Sequence, residues 1–120
     1  MFVYYNINPL GKTENDCVCR AISLGTDSDY GFIYYLLYNN SEQNECDMLV
    51  KGCYRQILED KFYLKPRKAY GRTVGEIAKR FRCSKVIIRI NGHLTCSVNG
   101  NVWDLWDCSD EQADEYWVVE

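Results

Sequence analysis

Cys17 stands where a helix should begin, in Asn15-Asp16-Cys17-Val18-Cys19-Arg20-Ala21-Ile22, and the only histidine, His93, lies far downstream in Asn91-Gly92-His93-Leu94-Thr95. An acidic pair, Asp104 and Asp107, follows in Trp103-Asp104-Leu105-Trp106-Asp107. Thiol, imidazole and carboxylate suffice for nucleophilic catalysis. A free cysteine is only a few per cent thiolate at neutral pH. A helix N-terminus raises that share through its positive field and unpaired N–H groups, and a neighbouring imidazole raises it by serving as counter-ion. The imidazole would take the thiol proton as general base and return it to the leaving group.

Geometry separates the two nearby thiols. Cys19 lies two residues beyond Cys17, roughly 200° around a helix, and cannot face the same cleft. Cys17 is therefore the nucleophile candidate and His93 the base. The residue that orients the imidazole is open between two aspartates. Asn99-Gly100 is a strong two-residue hairpin signal, and it sets His93 opposite Trp106 with Asp104 two places away on the same face. A three-residue loop, Asn99 to Asn101, would set His93 opposite Asp107 instead, because a one-residue slip exchanges the faces. The alternative role for both aspartates is a solvated strand end, with Trp103 and Trp106 as wall or core residues.

These groups need elements to carry them. Phe2 to Ile7 suits a short strand, and Pro9 and Gly11 force a turn. Asp16 can cap a helix from about Cys17 to Leu24, with Gly25 at its C-terminal stop. Tyr30 to about Tyr38 is apolar nearly all round, which predicts a buried helix. Asn39 to Glu45 reads as a polar loop. A third helix is expected over Asp47 to Glu59, with Met48, Leu49, Cys53, Ile57 and Leu58 inward. Thr73-Val74-Gly75-Glu76 is a capping box opening a short helix to about Arg82. Strands are expected at Lys85 to Ile90, Leu94 to Val98, Val102 to Asp107 and Tyr116 to Val119. Helices first and an antiparallel sheet afterwards is an α+β order, in one domain spanning residues 1–120.

Composition narrows the function. The 120 residues are 47% hydrophobic and 14% aromatic, as in a folded globular chain. A net charge of −3 gives no basic face for nucleic acid, and the stretch Lys65, Arg67, Lys68 and Arg72 reads as a solvated loop. No apolar run suits a membrane span, and the N-terminal residues do not read as a secretory signal. Seven cysteines is an odd number whose spacings resemble no disulfide framework, so reduced thiols in the cytoplasm are expected. There is no Cys-x-x-Cys pair and no second histidine, so neither a metal nor a cofactor is expected. Ten tyrosines and three tryptophans also suit a binding surface.

Two separated motifs resemble a known group. Asn8-Pro9-Leu10-Gly11, followed by Asp16-Cys17-Val18-Cys19-Arg20-Ala21, is similar to the opening of small papain-like proteins of phages and bacteria. Gly92-His93-Leu94 and Trp103-Asp104-Leu105-Trp106-Asp107 resemble the second half of their signature, with Trp where Tyr is usual. The resemblance implies a papain-like α+β fold, with a central nucleophile helix and further N-terminal helices packed on a C-terminal antiparallel sheet. It implies a thiol enzyme (peptidase, amidase or acyl transferase) that works through a thioester on a peptide, protein or small amide. By analogy with bacteriocin-leader peptidases and transglutaminase-like enzymes, Cys17 is nucleophile and His93 base. A tryptophan four residues before the acid favours Asp107, which Trp103 precedes by that interval. Many thiol proteases carry Gln about six residues before the cysteine. Gly11 stands here, leaving Asn8, Thr13 or Asn15 as oxyanion donors. A binding or inhibitor protein on the same scaffold, acting on a host protein, is the second expectation; the oligomeric state is left open.

Overall fold

The computed structural model covers residues 1–120 and has an α+β architecture of four helices and a mixed six-stranded sheet. In chain order the elements are β1 (Phe2–Tyr4), α1 (Cys17–Thr26), α2 (Tyr30–Asn44), α3 (Lys51–Asp60), β2 (Arg67–Lys68), α4 (Val74–Arg80), β3 (Lys85–Ile90), β4 (His93–Val98), β5 (Asn101–Asp104) and β6 (Ala113–Val119). The sheet order is β1-β5-β4-β3-β6-β2. Every pairing is antiparallel except β1 with β5, which is parallel. The expected all-antiparallel sheet thus acquires a parallel edge strand from the N-terminus.

Helices cover both faces of the sheet. Ile87 joins the cluster built from α1, α2 and α3, while Val86, Ile88 and Ile90 join the cluster containing Val74, Ile77 and Ala78 of α4. Successive strand side chains point to opposite faces, so burial on both sides demands the continuous apolar run found in β3. The capping box forms as expected: Glu76 N–H donates to Thr73 Oγ1 at 3.2 Å, and Thr73 N–H donates to Glu76 Oε1 at 2.9 Å. Asn99 and Gly100 both take positive φ, 50° and 87°, closing a two-residue hairpin with Val98 opposite Asn101.

Several local expectations change. The segment from Tyr30 is not a buried helix. It continues to Asn44 through the stretch expected as a loop, and only Ile33 and Leu37 are buried, while Phe32, Tyr34, Tyr35 and Tyr38 remain about half exposed. Its extension is held by Asn40, whose Nδ2 donates to the Cys53 carbonyl at 2.8 Å. The third helix begins at Lys51 rather than Asp47 and buries Tyr54 beside Cys53, Ile57 and Leu58. Cys46 and Cys53 form a disulfide, so reduced thiols throughout are not what this chain adopts; Cys17, Cys19, Cys83, Cys96 and Cys108 are free. A spacing of seven residues carries no disulfide signature, but the chain folds back before α3 and brings the two Cα atoms to 5.7 Å.

Helix α1 is buried on nearly every side, with Val18, Cys19, Ala21 and Ile22 in the core. Gly25 does not stop it. The helix runs to Thr26 and ends at Asp27, whose φ of 55° lies in the left-handed region. Gly25 instead lets α1 lie against β3, since a Cβ there would sit 2.5 Å from Ile87 Cγ1. Gly25→Ala is therefore expected to destabilise the fold by about 1–3 kcal/mol in denaturant unfolding, despite alanine's better helix propensity.

Candidate active site

The N-terminus of α1, the start of β4 and the end of β5 meet at one end of the sheet. Cys17 is the first residue of α1, His93 the first of β4 and Asp104 the last of β5. Antiparallel β4 and β5 place the latter two at the same end. The observed register sets Cys96 opposite Trp103 and Val98 opposite Asn101, so that Thr95 falls opposite Asp104 at the end of β5. Asp104 is then the diagonal neighbour of His93, within reach of a long side chain. His93 Nε2 lies 2.7 Å from Asp104 Oδ2, and the Trp106 ring packs against the imidazole with centroids 5.2 Å apart. With Nε2 committed to the carboxylate, Nδ1 is the ring nitrogen left for Cys17.

Asp107 is not brought to this site. The strand ends at Asp104, the chain bends, and Asp107 is exposed with its Oδ1 accepting from Ser109 N–H at 3.0 Å and Ser109 Oγ–H at 2.5 Å. The turn captures it. The two-residue hairpin therefore settles the register in favour of Asp104, against the tryptophan spacing that favoured Asp107.

Cys17 and His93 line one pocket of about 190 Å³, together with Val18, Leu49, Tyr54 and Leu94. Burial pushes the Cys17 thiol up, but the His93 imidazole, the Leu94 backbone N–H and the Arg20 charge outweigh it and hold the thiol below its ordinary range. Burial likewise opposes a charged imidazole. Asp104, with Cys108 and Cys17 contributing, overcomes this and pushes His93 up to about 11. Burial would raise Asp104 too, yet its hydrogen bonds, His93 first, keep it below the ordinary carboxylate range. All three groups favour their charged forms: a thiolate, an imidazolium and a carboxylate. Cys19 behaves in the opposite way. It is buried beside Ser23 and the Tyr30 carbonyl, away from the pocket, and burial pushes it up to about 12.

Asp16 does not cap α1. Its side chain makes no capping hydrogen bond and instead binds Arg20, Tyr30 and Asn8. The first-turn N–H groups at Cys17 are thereby left without a side-chain cap. Asn8 is committed to this contact, with its Nδ2 3.1 Å from Asp16 Oδ2, and Thr13 and Asn15 are exposed outside the Cys17 pocket. None of the three side chains expected as oxyanion donors lines that pocket. Arg20 and Cys108 are the site neighbours that sequence reading missed. Cys108 Sγ lies 4.0 Å from Asp104 Oδ2, and the His93, Asp104 and Cys108 donor atoms fall within 4.8 Å of one another. Those types can ligate a transition metal, but the imidazole and carboxylate are already hydrogen bonded to each other.

No protein-family model, curated protein or solved structure matches the chain.

A single histidine gives one unambiguous NMR titration. Wild-type His93 is expected to keep its second proton well above the ordinary value of 6.5. Asp104→Asn should lower the midpoint by about one unit or more, and Asp107→Asn should leave it unchanged. Because the folded protein holds a proton that the unfolded chain releases, the His93 contribution to stability is full below pH 6.5 and is lost as pH rises toward 11.

Proposed function

We propose that this protein is a papain-like thiol enzyme, a peptidase, amidase or acyl transferase, using Cys17 as nucleophile, His93 as acid and base, and Asp104 as the orienting carboxylate. The observation that carries this reading is His93, hydrogen bonded to buried Asp104 through Nε2 and lining the same pocket as a thiol at a helix N-terminus. A papain-like scaffold is supported by the buried nucleophile helix, which packs on the sheet that supplies both the base and the acid.

The reaction follows from these charges. The Cys17 thiolate attacks a carbonyl carbon, forming a C–S bond as the carbonyl π electrons move to oxygen. The uncapped N–H groups of the first turn of α1 are the donors available to that oxyanion. As the oxyanion collapses, the C–N bond breaks and the His93 imidazolium gives its proton to the leaving amine. Neutral His93 then takes a proton from water or an acceptor amine, which attacks the thioester; the C–S bond breaks and the thiolate is restored. Asp104 stays ionised throughout and stabilises the imidazolium.

Val18, Leu49, Val50, Tyr54, Ile90 and Leu94 give the pocket apolar walls. Lys51 and Arg89 also line it, but each is paired with an acid of β6, Lys51 with Glu115 and Arg89 with Asp114, both at 2.6 Å. A peptide, protein or small amide with an apolar side chain beside the reacting carbonyl fits this lining. The proposed setting is the cytoplasm, as a phage or bacterial accessory protein, on the strength of the motif resemblance. No helix is long and apolar enough to cross a membrane.

A second reading has one specific observation in its favour. Helix α2 exposes Phe32, Tyr34, Tyr35 and Tyr38 within two turns, a composition suited to binding a host protein without catalysis. Full biological activity in a folded Cys17→Ala protein would select it.

The enzyme reading is tested with an activated acyl ester and intact-protein mass spectrometry. One acyl group is expected, on Cys17. Cys17→Ala should abolish it and His93→Ala should slow it by about 100-fold or more. Acylation of exposed Cys83 at the same rate, or a rate indifferent to His93, contradicts the proposal.

A further inference from the structure

We infer that Arg20 is the positioning residue of the site: it spans the carboxylates of Asp16 and Asp104 and so fixes the helix bearing the nucleophile to the strand bearing the acid. The inference rests on the thiol-enzyme reading and adds a residue to it. Arg20 is buried, one helical turn beyond Cys17 on α1. Its Nε donates to Asp16 Oδ1 at 2.7 Å and its Nη1 to Asp104 Oδ1 at 3.0 Å. Asp104 Oδ2 is thereby left for His93. Asp16 is anchored in turn, its Oδ2 accepting from Tyr30 Oη–H at 2.7 Å and Asn8 Nδ2–H at 3.1 Å.

The result is an alternating chain of charge from Asp16 through Arg20 and Asp104 to His93, which lines the same pocket as Cys17, the residue next to Asp16 in sequence. Its side-chain links, rather than loop conformation, set where the base stands relative to the helix that bears the nucleophile.

Burial of an ion pair rarely benefits stability, since desolvation offsets the Coulombic gain and an apolar residue of similar size often serves as well. The requirement for Arg20 is better found in what a guanidinium alone supplies. Its planar fork reaches two carboxylates in fixed directions, which a lysine ammonium on a flexible stem does not do. Leu105 N–H also donates to Asp104 Oδ1 at 2.6 Å, so the oxygen turned away from His93 is held from two sides. Without Arg20, Asp16 and Asp104 would be buried with His93 as the remaining cation among them. The Asp104 carboxylate would then be held by His93 and the Leu105 N–H alone, no longer tied to α1, and the added negative potential would disfavour a thiolate at Cys17.

The test is site-resolved alkylation of Cys17 by iodoacetamide across pH, in wild type, Arg20→Met and Arg20→Lys. In folded Arg20→Met the acid limb of the rate profile is expected to move up by about one pH unit. Its plateau should fall about tenfold as alignment loosens. Arg20→Lys keeps the charge and should return the limb to within about half a unit of wild type. Its plateau should stay at least about threefold low, because one ammonium does not span both carboxylates. A purely structural arginine would lower the melting temperature and leave both features of the folded protein unchanged. That outcome in Arg20→Met overturns the inference. Should Arg20→Met not fold, a wild-type plateau in Arg20→Lys overturns it. A wild-type profile that ignores His93→Ala overturns the thiol-enzyme reading and this inference with it, whereas a His93-dependent wild type with an unmoved Arg20→Met overturns this inference alone.

Discussion

The carboxylate of Asp104 is fastened through both of its oxygens, and the site depends on that fastening. One oxygen holds His93 Nε2, and the other is held by Arg20 and the Leu105 N–H. An ionised carboxylate this deeply buried is costly unless its hydrogen-bond capacity is filled by charged or backbone donors. Once filled, it makes a charged His93 favourable against the burial that opposes it. The imidazolium in turn makes a buried thiolate tolerable at Cys17. Each charge in the pocket is supported by its neighbour.

The fold is arranged so that these supports come from different elements meeting at one sheet end. Helix α1 contributes Cys17 and Arg20 on successive turns, and its seating is set by Gly25 against Ile87 at the other end. The hairpin at Asn99-Gly100 sets the β4–β5 register and thus selects Asp104 as the partner of His93. A slip of one residue would turn that carboxylate to the opposite face. Packing of α1 and hairpin geometry therefore set the geometry of the site as well as the stability of the fold.

Parts of this were legible in the sequence for identifiable reasons. Periodicity and turn chemistry located β3, the capping box of α4 and the start of α1, because each is written within a few residues. The Cys17 and His93 pairing was legible because one helix start and one histidine leave few choices. The choice of aspartate was present in Asn99-Gly100, but motif analogy pointed to Asp107, which instead bonds within its own turn. Asp16 has the composition of an N-cap, and only the long-range arrival of Arg20, Tyr30 and Asn8 around it explains why it does not serve as one. Arg20 to Asp104 spans 84 residues of sequence, and no local pattern announces such a contact. Helix α2 misled for a different reason: aromatic residues read as core by composition, while α2 packs on α1 and α3 and fully buries only Ile33 and Leu37.

The most direct measurement is the ultraviolet absorbance of the thiolate, followed across pH as the difference between wild type and Cys17→Ser. A supported ion pair gives a difference band that titrates with a midpoint below the free-cysteine value of about 8.5, and that midpoint rises when His93 is replaced by alanine. A band that appears only at or above that value, or one whose midpoint is the same with and without His93, would contradict it.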